Sequence, residues 1–243
     1  MTAGGEGGRS RDRRLSSVGS EALDTRALEP ALARRTLSDV ALANRFLGGY
    51  AAVRYGVGRV LGSGASPAHV TVLDVGAGAG DVLERLRRAL GRGGAAVTGV
   101  ALDFIPEAAR MARERSQLAV IGDAFALPFA DRSLDIVVAS QLLHHFARPE
   151  AGALLCELDR VARRGVVIGD LRRARAGAWG IRLAALALGF HRVSRLDGVT
   201  SVRRGFSAAE LRALCRDAGL PATVRRRPGF RLVAYWRKDH AHR

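Results

Sequence analysis

The chain has 243 residues, of which 48% are hydrophobic, and a formal net charge of +16. That size suits one hydrophobic core of moderate size with an appended segment. The charge invites a nucleic-acid partner, but it comes almost entirely from arginines spread along the chain, and aromatic residues make up only 5%. Since no platform for stacking bases is apparent, nucleic acid is an unlikely partner.

The cysteines and the apolar segments exclude two further classes of protein. Cys156 and Cys215 form neither a disulfide framework nor a metal-ligand spacing, which indicates free thiols in a reducing, cytoplasmic compartment. The glycine-rich, basic N-terminus lacks the apolar core of a secretion signal. The most apolar segment, residues 181–190, has about half of the ~20 residues that a membrane-spanning helix needs. No membrane span is predicted.

The first third of the chain is predicted to be a tail followed by helices. Residues 1–19 are rich in Gly, Ser and Arg and are expected to be a disordered basic tail, because they have little to bury. Residues 20–66 show apolar residues at helical spacing, with Pro30 in a first turn and a glycine pair at residues 48–49 as an interruption. We interpret them as an N-terminal helical cap that ends in a flexible joint at residues 62–67.

From residue 67 onward, predicted strands alternate with predicted helices. Apolar runs of strand length lie at residues 70–75, 97–102, 118–121, 134–139 and 166–168, and helical patterns lie at residues 82–90, 106–115 and 149–162. Such alternation predicts right-handed crossovers and a parallel sheet with helices on both faces. Ligands of such sheets bind at the carboxyl ends of the strands.

Residues 172–206 depart from this alternation. They begin with a helical pattern and reach a predicted turn at Asp197 and Gly198, and we interpret them as a lid-like insertion over the strand ends. Residues 238–243 are polar and are expected to form a loose tail.

The alternation resumes after the insertion. Ser207 and Glu210 have the spacing of a capping box at the start of a helix over residues 208–218. Two strands follow, at residues 224–227 and 231–236. Their short connection requires an antiparallel pair.

The chemistry is concentrated around one strand and the glycines after it. Gly76, Gly78 and Gly80 follow the first strand and precede a helix, where glycine lets the backbone turn sharply close to a ligand and the helix N-terminus offers unpaired N–H groups. A dinucleotide-binding turn needs Gly or Ala where Asp81 stands. Carboxylates also follow the next two predicted strands, at Asp103 and Asp123.

Two runs of sequence resemble the class I S-adenosylmethionine-dependent methyltransferases. These are VLDVGAGAG, residues 72–80, and GDAFALPFADRSLDIVVASQLLHHF, residues 122–146. Residues 190–206, FHRVSRLDGVTSVRRGF, are similar to methyltransferases of polyketide pathways in bacterial secondary metabolism. The resemblance implies a methyltransferase domain over residues 67–237 with a Rossmann-like, doubly wound α/β sheet. That sheet has seven strands, mostly parallel, with an antiparallel C-terminal strand.

The resemblance also implies S-adenosyl-L-methionine as the cofactor and no metal. The residues expected at its methionine end surround the glycine turn: Asp74, Gly76, Ala77, Gly78, Gly80 and Ser140. Those expected at its ribose and adenine follow the second and third strands: Asp103 for the ribose hydroxyls, Phe104 against the adenine, and Asp123 with Ala124 at the adenine edge.

The acceptor side offers candidate bases and apolar residues. His144 and His145 follow the fourth strand, where a neutral imidazole could take a proton from a hydroxyl; the alternative is that they anchor a loop. His191 is a weaker candidate base, and Arg195 and Arg203 are candidates for binding a carboxylate or phenolate. The apolar residues expected on the inner face of a lid are Leu42, Phe46, Trp179, Leu183 and Leu186.

These features favour methyl transfer to a small aromatic or polyketide-like acceptor, with O-methylation preferred. C-methylation of a quinone-type ring is the first alternative. RNA methylation is a second, although Ser140 and Gln141 stand where an amino-group methyltransferase would have an Asn/Asp-Pro-Pro motif. A non-catalytic cofactor-binding protein is a third, and a homodimer stays open.

Overall fold

The centre of the structure is a seven-stranded sheet with the strand order β3-β2-β1-β4-β5-β7-β6. The computed structural model describes residues 15–25, 28–62, 67–115 and 117–238. The strands are β1 (His69–Val75), β2 (Ala96–Asp103), β3 (Leu118–Ile121), β4 (Leu134–Ser140), β5 (Ala162–Leu171), β6 (Thr223–Arg227) and β7 (Arg231–Arg237). Among the described strands, β7 runs antiparallel to both of its neighbours, β5 and β6, and the other neighbouring pairs are parallel. The predicted fold class, including the antiparallel strand near the C-terminus, is confirmed.

Eight α-helices surround this sheet in the described part of the chain. They are α1 (Pro30–Phe46), α2 (Gly49–Leu61), α3 (Asp81–Arg92), α4 (Pro106–Glu114), α5 (Arg148–Val161), α6 (Arg175–Ala187), α7 (Arg192–Arg204) and α8 (Ala208–Asp217). Two short 3-10 helices, Ala22–Asp24 and Leu143–His145, lie near the carboxyl ends of the strands.

The alternation of side chains along the strands produces a core on each face of the sheet. In β4, Ile136 and Val138 belong to the core shared with α2 and α3. Val137 and Ala139 belong to the core shared with α5 and α8. A strand buried on both faces explains the continuous apolar run in the sequence.

The predicted helical cap over residues 20–66 is wrong in one part, because α2 covers a face of the sheet instead of the strand ends. Helix α2 packs against β5 and β7, and an added Cβ at Gly56 would collide with Val167. The sequence pattern indicated the helix correctly but not the surface that it covers. Helix α1 and the described residues before it lie at the carboxyl ends of the strands, where an added Cβ at Gly78 of the turn would lie 3.4 Å from Leu37 Cδ2.

The predicted turn at Asp197 and Gly198 is wrong, because both residues lie inside α7. The absence of a side chain at Gly198 lets α7 approach α6 closely: an added Cβ would lie 3.0 Å from Ile181 Cγ1. The chain turns between the two helices instead, at Gly189, whose φ is +67°. The insertion, residues 172–206, is therefore a helical hairpin.

Residues 15–25, called the strap from here on, lie against the rim of the sheet. Leu15 forms a bridge with Phe146, and the Arg204 side chain donates to the carbonyl of Gly19 at 2.6 Å. The prediction of a disordered tail over residues 1–19 is therefore wrong for residues 15–19, which belong to the strap.

The remaining predictions about tails and joints fall mostly outside the described residues. This holds for the disordered tail over residues 1–14, for residues 63–66 of the flexible joint, and for residues 239–243 of the C-terminal tail. Lys238 itself is held, because its Nζ lies 3.0 Å from Asp159 Oδ2. No helix among the described residues is both long enough and apolar enough to cross a membrane.

Candidate functional site

The glycine turn, residues 76–80, lies at the carboxyl end of β1. Gly76, Gly78 and Gly80 have φ angles of +68°, +52° and +71°, a region that strains any residue with a side chain. The turn is fixed to the neighbouring strand, because Gly76 N donates to Leu102 O at 2.8 Å. Helix α3 begins at Asp81 directly after it. The predicted strand, turn and helix start are all present.

Asp103 joins the end of β2 to this turn. Its Oδ2 accepts from Gly78 N at 2.8 Å and its Oδ1 accepts from Ile105 N at 2.9 Å. Burial raises the pKa of the Asp103 carboxyl, and these backbone N–H groups oppose that shift. Each carboxylate oxygen has a second lone pair, so Asp103 retains acceptor capacity for a ligand.

Asp123 lies one strand further along the same edge. Asp103 pairs with Ile121 in the register of β2 and β3, and Gly122 N donates to Asp103 O at 3.0 Å. Asp123 Oδ1 accepts from Phe125 N at 2.9 Å, which fixes the carboxylate beside its own loop. The glycine turn, Asp103 and Asp123 therefore lie along one edge of the sheet, as the predicted site requires.

Asp74 and Asp81 add two buried carboxyls beside the turn. Asp74 is 1% exposed, and its Oδ1 has no hydrogen-bond partner among the described residues. Burial, with smaller contributions from Asp81 and Asp103, raises the pKa of Asp74 well above its usual value. Burial also raises the pKa of Asp81 to about 6, against the effect of a hydrogen bond with Asn44. Buried carboxyls with spare acceptor capacity suit a ligand that carries positive charge.

Asp81 and Asn44 are two site residues that the sequence analysis missed. Asp81 was noted only as a departure from the dinucleotide pattern. Asn44 lies on α1 and is 5% exposed, and its Oδ1 accepts from Gln141 Nε2 at 2.6 Å. A polar residue on the buried side of an amphipathic helix was the one available signal.

The end of β4 closes over the turn from the other side. Leu142 packs so closely on Gly76 that an added Cβ would lie 2.9 Å from Leu142 Cδ1. Ser140 Oγ is buried and has no hydrogen-bond partner within the described part of the chain. Gln141 has a left-handed φ of +55°, and its N–H donates to Gly169 O at 2.7 Å. Ser140 therefore lies on the same edge as the turn, as expected.

His144 and His145 are each oriented by a carboxylate. His144 Nδ1 lies 2.7 Å from Asp170 Oδ1, and His145 Nδ1 lies 2.7 Å from Asp24 Oδ1. The two rings are 4.4 Å apart between centroids. Because a carboxylate lies against Nδ1 of each ring, Nε2 is the ring nitrogen that could contact a methyl-acceptor molecule.

The strap covers both histidines in this structure. Glu21 Oε1 lies 3.9 Å from His144 Nε2, and Glu21 Oε2 lies 4.0 Å from His145 Nε2. These three side chains place one potential metal-ligand atom each within 4.8 Å of one another. However, the buried Arg204 guanidinium lies 3.3 Å from Glu21 Oε1 and 2.9 Å from Asp24 Oδ2. Arg204 thus supplies positive charge to this cluster itself.

Three polar residues proposed for the acceptor side lie elsewhere, and two of them have other partners. His191 Nδ1 accepts from Val193 N at 3.3 Å and so caps α7. Arg195 Nε donates to Phe190 O at 2.7 Å. Arg203 is exposed and lines a cavity of about 350 Å³ between the strap and the insertion. The structure gives none of them a place beside the glycine turn.

The apolar residues expected to line a lid face outward. Four of them are more than half exposed: Phe46 (56%), Trp179 (68%), Leu183 (66%) and Leu186 (58%). Leu42 is partly buried, packed beside Ala185 and Phe190. The prediction that these four side chains form the inner face of a lid is wrong. Trp179, Leu183 and Leu186 lie on α6, where a helical hairpin that presents one side to the protein turns the other to solvent, and Phe46 is the last residue of α1.

A small cavity lies under the insertion instead. It has a volume of about 60 Å³ and is bounded by α1, α6, α7 and the ends of β4 and β5. Gln141 lines it and, through Asn44, connects it to the carboxyls beside the glycine turn. It is therefore adjacent to the predicted ligand site.

Comparisons with known proteins agree with this geometry. Residues 73–168 match the family described as "Methyltransferase domain". The chain is 32% identical over 122 residues to a demethylmenaquinone methyltransferase of Roseiflexus sp. (strain RS-1). That alignment covers 47% of this chain and 50% of the relative, so the chain spans about half the length of the curated relative that it matches.

Solved structures share the fold at low sequence identity. A SAM-dependent methyltransferase from Aquifex aeolicus superposes with a TM-score of 0.59 at 19% identity, over 85% of this chain and 97% of that one. Human N-acetylserotonin methyltransferase, solved with SAM, gives 0.60 at 13% identity, over 86% of this chain and 56% of that one. Residues 73–168 therefore match a methyltransferase domain family, and the chain shares the fold of solved S-adenosylmethionine-dependent methyltransferases.

Proposed function

We propose that this chain transfers a methyl group from S-adenosylmethionine to a small aromatic or polyketide-like acceptor, with O-methylation favoured. One observation carries the proposal. The 2.8 Å hydrogen bond between Gly78 N and Asp103 Oδ2 joins the glycine turn to the carboxylate at the end of β2, within the residues that match the methyltransferase family. A turn that admits close approach and an acid with spare lone pairs together fit an adenosine ligand.

The residues present fit each end of the cofactor. Asp74 Oδ1 is buried and lacks a partner among the described residues, so it suits the ammonium group of a methionine moiety, with Ser140 close by. Asp103 suits two ribose hydroxyls. We propose that the following residues contact the cofactor: Asp74, Gly76, Ala77, Gly78, Gly80, Asp103, Phe104, Asp123, Ala124 and Ser140.

When it is bound, the cofactor supplies an activated methyl group on a positively charged sulfur. The chain then has to hold the acceptor in line and to exclude water. The acceptor oxygen would take the methyl group, the electron pair of the broken bond would stay with the cofactor, and the acceptor proton would go to a base or to solvent. The strap, α1 and the insertion are the elements that lie over the strand ends.

His144 and His145 are the proposed bases for this proton. Asp170 fixes the orientation of the His144 ring through Nδ1, and Asp24 does the same for His145. Since Glu21 lies about 4 Å from both Nε2 atoms, an acceptor reaches either nitrogen only when the strap moves aside. Removal of the proton therefore couples to opening of the strap.

C-methylation of a quinone-type ring is the second candidate. The observation that favours it is the relative from Roseiflexus sp., whose name is demethylmenaquinone methyltransferase. A ring carbon made electron-rich by an adjacent ionised oxygen attacks the methyl group and then loses its own proton. This candidate shares the cofactor site and differs in the acceptor atom.

A labelled-methyl assay tests both candidates. The full chain is incubated with S-adenosylmethionine that carries a ¹³C-methyl group and with separate pools of phenols, hydroquinones and RNA. The carbon chemical shift of the product distinguishes an O-methyl from a C-methyl group. We expect label in the phenol or hydroquinone pool. Label in RNA alone would refute the proposal, and binding of S-adenosylhomocysteine without transfer to any pool would indicate a non-catalytic protein.

A further inference from the structure

Arg231 is a buried arginine in which one guanidinium nitrogen, Nη1, has no hydrogen-bond partner among the described residues. It is the first residue of β7 and is 2% exposed. Its Nε donates to Leu47 O at 3.0 Å. A guanidinium buried away from water is costly unless its N–H groups are satisfied.

The Asp170 carboxylate, which interacts electrostatically with Arg231, does not fill this gap. Asp170 raises the pKa of Arg231 electrostatically, while burial lowers it to about 10, so Arg231 is protonated at neutral pH. The Asp170 carboxylate is already engaged, because its Oδ1 accepts from Leu171 N at 2.7 Å and lies 2.7 Å from His144 Nδ1. The positive charge of Arg231 therefore has capacity for another anion.

Arg231 lines the 60 Å³ cavity under the insertion together with two further unsatisfied side chains. Thr36 Oγ1 and Ser194 Oγ are buried and have no hydrogen-bond partner in the part of the chain that the structure describes. Two hydroxyls and a guanidinium N–H can all donate to an anionic oxygen. Such a set of buried donors is complementary to an ionised oxygen group.

Most of the remaining lining is apolar and consists of Val40, Ala43, Leu171, Ile181, Phe190 and Val202. Asp39, Gln141, Gly198 and Ser201 also line the cavity. The Asp39 carboxylate accepts from His191 N at 2.8 Å and lies 3.5 Å from Arg35 Nε, so its negative charge has partners of its own. An inorganic anion gains nothing from the apolar side chains, whereas an organic anion buries its hydrocarbon part against them. Since ligand pockets typically enclose about 300–1,000 Å³, a cavity of about 60 Å³ suits the charged end of a ligand rather than a whole acceptor.

We propose that Arg231, Thr36 and Ser194 form a subsite for the ionised oxygen of the methyl acceptor, a phenolate or carboxylate on an apolar ring. The inference rests on the proposed function and specifies its substrate class. Gln141 lines the same cavity and hydrogen-bonds Asn44, which hydrogen-bonds Asp81 beside the glycine turn. The subsite is thereby adjacent to the cofactor residues. A guanidinium there stabilises a phenolate over a phenol, which makes either the oxygen or its ring carbon more nucleophilic.

The test uses benzoate as the probe, with the full chain saturated with S-adenosylhomocysteine. Benzamide serves as the uncharged analogue and chloride as the inorganic anion. We expect benzoate to bind about ten-fold or more tightly than benzamide, as for a charge-assisted hydrogen bond, and chloride to compete only weakly. Arg231→Met should abolish the preference for benzoate and leave the affinity for S-adenosylhomocysteine unchanged.

Arg226→Met is the matched control. Arg226 is exposed on the neighbouring strand β6, so this variant should bind benzoate as the wild type does. If Arg231→Met does not fold, Arg231→Lys with the double variant Thr36→Val/Ser194→Ala makes the same test, and the double variant should lose most of the benzoate affinity. Equal binding of benzoate and benzamide, unchanged benzoate binding in these variants, or binding of chloride alone would overturn the inference. If the wild type does not bind S-adenosylhomocysteine at all, that result would instead count against the proposed function.

Discussion

Replacing Asp103 with alanine removes the carboxylate that we propose to bind the ribose of the cofactor. In the proposed complex this carboxylate accepts hydrogen bonds from two ribose hydroxyls, and a hydrogen bond to a charged group contributes about 1.5–3 kcal/mol. The lower figure for each of two bonds gives about 3 kcal/mol, which corresponds to a loss of affinity of about 100-fold. Two backbone bonds, from Gly78 N and Ile105 N, are lost as well, so the glycine turn becomes less ordered.

Isothermal titration with S-adenosylhomocysteine measures this loss directly. Asp217→Ala is the matched control, because the Asp217 side chain is 71% exposed and lies far along the chain from the turn; its affinity should equal that of the wild type. A thermal melt of each variant separates loss of binding from loss of folding. If folded Asp103→Ala binds S-adenosylhomocysteine within about three-fold of the wild type, less than 1 kcal/mol, then Asp103 does not bind the ribose.

Three further predictions concern the same edge of the sheet. Burial raises the pKa of Asp81 to about 6, so the cost of ionising Asp81 in the folded chain builds up between about pH 4 and pH 6 and is complete above that. Asp81→Asn should therefore raise the free energy of unfolding at pH 7 by up to ~3 kcal/mol. Urea titrations without ligand should show a much smaller increase at pH 4.5. Gly78→Ala should reduce stability by about 1–2 kcal/mol and weaken cofactor binding, because the φ of Gly78 is +52°. His144→Gln and His145→Gln should each be tested for kcat, and the variant that loses the base should fall by about 10²–10⁴-fold while S-adenosylhomocysteine affinity is retained.

Each of these predictions has a control and a contrary outcome. Gly91→Ala is the control for the turn, since an added Cβ there meets nothing within 4 Å and Gly91 lies in α3; it should be neutral or stabilising by up to ~1 kcal/mol. His69→Gln, at an exposed residue of β1, is the control for kcat. A pH-independent effect of Asp81→Asn would contradict the raised pKa. Unaltered kcat in both histidine variants would exclude them as bases.

Local patterns predicted those elements whose signals lie within a few residues. Ser207 and Glu210 form the expected capping box, with Ser207 N donating to Glu210 Oε2 at 2.7 Å. Asp135, at the start of the buried strand β4, has nearby partners too: it accepts from Thr71 N at 2.9 Å and from Arg163 Nη2 at 2.7 Å. Short-range hydrogen bonds and apolar periodicity were therefore sufficient to predict the sheet and the glycine turn, residues 76–80.

Features that depend on distant contacts were not predictable in this way. The strap lacks periodicity, and it is held by Arg204, which is about 180 residues away in sequence from Asp24. The helical pattern of α2 did not tell which surface it covers. Arg231 is one arginine among many in the sequence, and only the fold shows that it is buried beside a cavity.

The central claim is that one site at the carboxyl edge of the sheet binds adenosine that carries a charged sulfur. Calorimetric titration of the wild-type chain with S-adenosylmethionine, and with adenosine alone as the comparison, tests it most directly. We expect a single site per chain with micromolar affinity for S-adenosylmethionine and clearly weaker binding of adenosine, because adenosine lacks the ammonium group proposed to bind Asp74 and the positively charged sulfur. A folded chain that gives no heat with S-adenosylmethionine, or that binds both compounds equally, would contradict the account.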